Sequence, residues 1–592
     1  MRTEIYKFLD TIPLFKGLSR AALKTIYDEV REISVQNNDY IYQSGDTSRF
    51  IYVVRYGEVI IRLGGTGERF RYIGQGEVFS EHSILTKSPH YGSAQAVLDT
   101  VLYAIDGNVF LKLAEKNKVL AQNLISLISG RMKDVLSEGK GNTSARRLIC
   151  HIPMEELHHY TDNLNAVVNA ARVATGAEIK LLNITFFSKM TEREVISSLA
   201  AMRKKYPIVH IYFDEICDKC EMNKVVMQVD QIVLWEKNPN HINDNKTRIY
   251  KFWKECIRNF EERSVRMAED GHALHRQTYS GKEKIFIRKE TLSRYLISKT
   301  RGLALGGGGA RSLAHIGMIK VLEEEGITID YISGCSFGAI IAALYARGES
   351  SSSIIKIMEK YFGRISKPFL DGRLPIVSFY KGVNMEKMVR DAFGDQNIED
   401  LLIPFATSAV DLLSGREYVF DRGPIWEALV CTMSLPGIYP PRKLGNHLLV
   451  DGGVLNNVPE SLIRAKGANI IISANVAPLE DTAIIKLFSE KKFLERYSIR
   501  AWFENITHPP ILKIISRAIN LEGRELIRLR KKNMDYFVNY SLDQFSIFDF
   551  KRYKKIALEG EKQFRTYLPE VRQLFQPGKT VSRKTARSGK KN

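Results

Sequence analysis

Residues 306–348 constrain this chain more than any other stretch: GGGGARSLAHIGMIKVLEEEGITIDYISGCSFGAIIAALYARG. The glycine run Gly306 to Gly309 follows the apolar Leu303, Ala304 and Leu305. Further on, Gly334-Cys335-Ser336-Phe337-Gly338 is a G-x-S-x-G between a strand-like run at Tyr331 and Ile332 and a helix-like run from Ala339 to Tyr345. A nucleophilic serine needs its hydroxyl held out on a tight strand-to-helix turn, and small flanking residues permit that turn. The following helix directs its positive end at the serine. A glycine run leaves backbone N–H groups free to face the oxyanion of an acyl-transfer intermediate. Either motif alone is weak. Two of them in strand–turn–helix context make a serine acyl-hydrolase the leading expectation.

The chain has 592 residues, enough for three or more domains. Its net charge of +20 favours an anionic partner, a membrane surface or nucleic acid. No zinc-finger spacing or arginine-rich recognition helix is present, so the expectation is lipid, with no nucleic acid. Six cysteines, Cys150, Cys217, Cys220, Cys256, Cys335 and Cys431, are scattered in the manner of reduced cytosolic thiols. Cys217 and Cys220 form a lone C-x-x-C with no second pair, read as two free thiols in a loop. The first fifteen residues lack the apolar core of a signal peptide. No stretch reaches the roughly 18 apolar residues of a spanning helix. The expected location is therefore cytoplasmic, with peripheral attachment to the inner membrane. No metal site and no cofactor are expected.

Residues 1–136 read as a β-barrel or jelly-roll: short strands at Ile51, Val59, Phe70 and Leu102 are broken by Gly45-Asp46, Gly57, Gly64-Gly65 and Gly74. A helical period from Phe110 to Leu136 closes this domain. Gly45-Asp46, Tyr52, Gly57-Glu58 and the segment from Gly76 to His90 resemble the cyclic-nucleotide-binding domain family. The resemblance implies that Glu81 stands where the family holds the ribose hydroxyl. It places His90 where the family's phosphate-pairing arginine belongs, and Ser80 where a glycine precedes the glutamate. An imidazole does not replace a bidentate guanidinium, so a scaffold that docks its neighbours is the expectation ahead of a cyclic-nucleotide site.

A polar linker, Ser137 to Ser144, leads to an α/β spacer over 145–240. Strands are expected at Leu148, Glu178–Ile184, Ile208–Phe213 and Gln231–Trp235. Helices are expected over Asn163–Ala174 and Glu192–Lys205. No phosphate-loop spacing is present, so the spacer is read without catalysis of its own. Residues 241–300 read as a helical connector, with helices Thr247–Arg266 and Glu290–Lys299. An α/β catalytic domain is expected over 301–480, a helical region over 481–576 and a basic disordered tail over 577–592. Within the helical region, the amphipathic run Ile511 to Ile519 is read first as packing on the catalytic domain and second as docking on lipid.

Inside the catalytic domain, Asp451 follows the apolar His447-Leu-Leu-Val and precedes two glycines. A carboxylate on a tight turn at the end of a strand is well placed for site chemistry. The glycine run, G-x-S-x-G, the Asp411 strand, Ser434-Leu-Pro and Asp451-Gly-Gly together resemble the patatin-like phospholipase family from Arg301 to about Ala477. With the N-terminal domain and spacer, the layout is similar to the bacterial members of the neuropathy target esterase group. The resemblance implies Ser336 as nucleophile and Asp451 as base, a dyad with no histidine, and Gly307, Gly308 and Gly309 as the oxyanion hole. Arg311 would steady the loop or meet a phosphate. Ser312 replaces the family's usual glycine. His315 is read as packing and Cys335 as a small packed neighbour of the serine.

The implied activity is hydrolysis of acyl esters of phospholipids or lysophospholipids at a peripheral anionic membrane surface, with regulation by the N-terminal domain. The alternative is a ligand-sensing regulatory protein that uses the hydrolase fold as its output.

Overall fold

The computed structural model describes residues 2–63, 69–137, 147–157, 159–214, 223–237, 244–256, 264–268, 284–286, 288–363, 378–478, 523–532 and 534–575. Cys217, Cys220, the run from Ile511 to Ile519 and the tail 577–592 lie outside them. The chain divides into two compact units, Met1–Ala273 with Ser280–Ile297, and Leu274–Tyr279 with Ser298–Asn592.

The first unit opens with two four-stranded sheets in jelly-roll fashion. Alternating side chains such as Val54, Val59, Phe79, Leu102 and Ala104 face inward and form the core. Two helices, Gly107–Lys116 and Lys118–Ser137, replace the single expected one. The break has a local cause. The Asn117 side chain accepts hydrogen bonds from the Val119 and Leu120 N–H groups at 3.1 Å each and caps the second helix.

The spacer is a six-stranded parallel sheet in the order Ile179–Asn183, Ile208–Tyr212, Arg147–Pro153, Gln231–Glu236, Ser264–Ala268, Lys284–Phe286. The last two strands correct the reading of 241–300 as a helical connector. The helix there spans Asp244–Cys256, and Arg266 stands in a strand paired with Gln231–Glu236. Five-residue strands carry little periodicity of their own, and pairing with a distant neighbour decides them.

Within this unit the jelly-roll is riveted to the spacer. Asp99 Oδ2 accepts from Gln228 Nε2 at 2.6 Å, and Asn37 Nδ2 donates to the Met227 carbonyl at 2.9 Å. Arg203, 1% exposed, lies between Glu58 at 3.7 Å and Asp230.

The second unit is built on an eight-stranded mixed sheet. Arg301–Leu305, Tyr331–Gly334 and Ile470–Asn475 run parallel at its centre, with Phe405–Asp411 parallel to Tyr331–Gly334. His447–Asp451 and Arg416–Phe420 then pair antiparallel to Phe405–Asp411.

The C-terminal region also departs from its purely helical reading. Tyr536–Asn539 adds a parallel strand beside Ile470–Asn475. Helix Tyr553–Leu574 packs on helix Ala314–Glu324 at a crossing that only glycine permits. A Cβ on Gly317 would lie 2.1 Å from the Ala557 carbonyl, and one on Gly560 would lie 2.1 Å from the Ala314 carbonyl. Lys320–Glu561, Arg565–Glu324 and Arg572–Glu325 ion pairs flank that crossing.

Candidate active site

The sheet register brings Ser336 and Asp451 together across 115 residues of sequence. Ile332 pairs with Phe405 and Ser333 with Ala406, which sets the end of the Tyr331–Gly334 strand, and the elbow after it, beside Phe405–Asp411. Ala409 pairs with Asp451 on the returning antiparallel strand. Ser336 and Asp451 line the same cleft, and the serine hydroxyl is near enough to pull the Asp451 pKa down.

Ser336 adopts φ 51° and ψ −130°, the left-handed turn of a nucleophile elbow, and is half-buried while its neighbours are buried. Gly338 lets the elbow close on the glycine run, since a Cβ there would meet the Gly306 carbonyl at 2.5 Å. Asp451 is 3% exposed. Its Oδ1 accepts from the Gly453 N–H at 2.8 Å and from the Cys335 thiol at 3.7 Å. Burial pushes this carboxyl up to about 6, against the opposing pull of the Ser336 hydroxyl, the Gly453 N–H and the Cys335 thiol. The group is therefore ionised at neutral pH yet basic enough to take a proton.

The glycine run divides its labour. The Gly306 N–H goes to the Ala474 carbonyl at 2.8 Å, and the Gly307 N–H to the Asn457 carbonyl at 3.2 Å. Gly307 is thus corrected from donor to spacer: a Cβ there would lie 3.0 Å from the Ser336 Cβ. The Gly308 and Gly309 N–H groups have no protein acceptor among the described residues. Gly309 holds φ +57° with the Ile547 carbonyl 2.4 Å from a Cβ position, so no other residue fits.

Arg311 steadies the loop, its Nε donating to the Phe545 carbonyl at 2.8 Å, and it lines the cleft. Ser312 is buried, with its hydroxyl donating to the Gly306 carbonyl at 3.3 Å. His315 is fully buried beneath the run, its Nε2 2.9 Å from the same carbonyl, and burial pushes it down to about 4. It is a neutral packing and hydrogen-bonding residue with no contact to the serine. Asp411 accepts from His447 Nδ1 at 3.0 Å and from the Leu448 N–H at 3.1 Å. It fixes a turn, and those bonds, His447 first, hold it well below the ordinary carboxylate range.

Gly307, Gly308, Gly309, Arg311, Ser336 and Asp451 line one open cleft. Its walls are apolar, with Phe337, Met385, Met433, Leu435, Ile438 and Phe550 among them. The segment Phe545–Phe550 supplies one wall: Phe550 stacks on Phe362 with ring centroids 4.9 Å apart, and the Ile547 carbonyl accepts from the Ala310 N–H at 2.8 Å. No local motif marks this segment, more than 200 residues beyond the loop it supports. Asn457 was equally silent. Its Nδ2 donates to the Gly307 carbonyl at 3.1 Å and ties the Asp451 turn to the glycine run.

The Patatin-like phospholipase family matches residues 303–463. That segment is a patatin-like domain. Its match stops short of Phe545–Phe550, which completes the cleft of the patatin-like domain in this chain. The Cyclic nucleotide-binding domain family matches residues 32–117. "Neuropathy target esterase sws" of Drosophila melanogaster is 25% identical over 81% of this chain and 39% of its own length. "Lysophospholipase nte1" of Aspergillus terreus is 24% identical over 91% and 42%. "Patatin-like phospholipase domain-containing protein 6" of Homo sapiens is 25% identical over 88% and 43%. The chain spans less than half the length of each of these relatives.

In the N-terminal domain, Glu81 and His90 are both 5% exposed. His90 stacks on Tyr42 with ring centroids 3.6 Å apart, and burial lowers its pKa against the opposing pull of Asp46. His90, which the resemblance put in place of a phosphate-pairing arginine, is thus a stacked, buried ring. Ser80 takes φ 74°, the left-handed conformation its usual glycine would adopt freely. Among the described residues there is no cluster of metal-ligating side chains, and no helix is long and apolar enough to cross a membrane.

Proposed function

We propose that this protein is a serine esterase that cleaves acyl esters of phospholipids or lysophospholipids through a Ser336–Asp451 dyad. The observation that carries the reading is a serine on a strained elbow that shares an apolar cleft with a buried carboxylate whose pKa it lowers. The apolar walls suit an acyl chain. The relatives' names, a lysophospholipase and a neuropathy target esterase among them, support the lipid class.

In the mechanism, the Asp451 carboxylate takes the Ser336 hydroxyl proton as Oγ attacks the ester carbonyl carbon. The negative charge that develops on the carbonyl oxygen is met by the Gly308 and Gly309 N–H groups. Collapse of the tetrahedral intermediate breaks the ester C–O bond, and Asp451 returns the proton to the departing alcohol oxygen. Water, deprotonated by the same carboxylate, then attacks the acyl-enzyme and releases the fatty acid with Ser336 restored. The net charge of +20 supports an anionic membrane surface as the place of work. The bonds from Asp99 to Gln228 and from Asn37 to Met227 support a docking role for the N-terminal domain, and the stacked His90 leaves no cyclic nucleotide in the mechanism.

Lipid product analysis of the wild type against Ser336→Ala tests the reading. Released fatty acid and fluorophosphonate labelling should both vanish in the variant. Unchanged lysophospholipid turnover would overturn it.

A further inference from the structure

The elbow at Ser336 must be held in an unfavourable backbone conformation, and the helix that follows does not hold its N–H. Ser336 is the residue before helix Phe337–Ala346, so that N–H precedes the helical ladder. Its acceptor is the Thr432 hydroxyl, 3.2 Å away. Thr432 closes helix Ile425–Thr432 and is fully buried. A threonine hydroxyl has one proton. Here that proton goes to the Ser408 carbonyl at 2.7 Å, which leaves the oxygen to accept from Ser336.

Two further observations set this hydroxyl apart from a routinely satisfied one. A buried hydroxyl near a helix end ordinarily donates to the carbonyl four residues back, as Ser434 does to Val430 at 2.8 Å. Thr432 reaches across to a neighbouring strand instead. Beside it, at 3.2 Å, the Thr407 hydroxyl donates to the Gly334 carbonyl at 2.8 Å. The two hydroxyls thus grip the elbow on both sides of Cys335. Ser408, the acceptor, precedes Ala409, which pairs with Asp451. The nucleophile's backbone and the strand that carries the base are fastened through one oxygen.

We propose that Thr432 is a positioning residue for the nucleophile: its hydroxyl holds the Ser336 backbone so that Oγ faces Asp451 and the incoming carbonyl. It acts through Ser336 and touches no substrate. The inference rests on the esterase reading above.

The test compares Thr432→Val, which keeps the shape and loses the acceptor, with Thr432→Ser, which keeps the hydroxyl. Both are made in the full chain. Fluorophosphonate labelling rate, kcat and KM on a lysophospholipid, and the melting transition are measured. Thr432→Val should lower the labelling rate and kcat by roughly ten- to a hundredfold, with KM within about twofold and the fold intact. Thr432→Ser should stay within about threefold of wild type. If Thr432→Val does not fold, Thr432→Ala against Thr432→Ser carries the same comparison. Labelling of the hydroxyl-free variant at the wild-type rate, equal losses in both variants, or a loss confined to KM would overturn the inference. Failure of the parent reading looks different: Ser336→Ala would keep its turnover.

Discussion

Replacing Asp451 with asparagine should stabilise the folded chain while ending its activity, and the gain should depend on pH in a defined direction. Burial raises this carboxyl from its ordinary 3.8 to about 6, so the folded state holds the proton more tightly than the unfolded chain does. The sign follows. The native advantage is complete below the unfolded value of 3.8 and is lost as pH rises through about 6. At pH 8 the buried carboxylate therefore costs the folded state about 3 kcal/mol. Asparagine carries no charge, and its carbonyl oxygen still accepts from the Gly453 N–H that Asp451 Oδ1 now receives at 2.8 Å. Asp451→Asn should match the wild type at pH 3.5, part from it between 3.8 and about 6, and melt on the order of 5 °C higher at pH 8. Calorimetry of the full chain at several pH values, following the transition of the second unit, checks this. A melting difference that is the same at every pH, or a variant less stable at pH 8, would refute the reasoning.

The same carboxyl predicts that kcat/KM climbs with pH through about 6, because the base must be ionised to accept the serine proton. Cys335→Ala removes one of the donors that hold Asp451 down and should move that limb upward, read from a pH–rate profile. Gly309→Ala should lower fluorophosphonate labelling by more than about tenfold, since its Cβ collides with the Ile547 carbonyl and shifts the oxyanion donors. Gly326→Ala, at a similar positive φ of +63° but with nothing within 4 Å, is the control and should label normally. Arg203→Met takes the buried guanidinium away from buried Glu58 and from the partly exposed Asp230, and should cost the first unit about 3 kcal/mol, seen as a lower melting transition. An unchanged transition would mean the triad contributes nothing.

The parts of the site that depend on local backbone were legible from the residues alone. An elbow needs glycines beside its serine, and an exposed carboxylate turn needs Asp-Gly-Gly. Ser336, Gly308, Gly309 and Asp451 announced themselves through their immediate neighbours. The jelly-roll strands and most of the spacer's elements were visible because short apolar runs, broken by glycines or alternating with helical stretches, mark them locally. Where the outcome depended on a distant partner, the sequence was silent or misleading. The strands Ser264–Ala268 and Lys284–Phe286 exist only because a sheet edge was there to receive them. Gly307 looks like Gly308 in sequence, and only the approach of the Asn457 carbonyl removed its N–H from service. The wall built by Phe545–Phe550 and the grip of Thr432 on Ser336 likewise come from residues far along the chain.

The sequence by itself therefore determined which chemistry this protein is equipped for, because reactive groups demand particular residue types at short spacing. The tertiary structure alone decided which donors are free, how basic Asp451 becomes and what holds the Ser336 backbone. Those properties arise from burial and long-range hydrogen bonds, which no local spacing encodes.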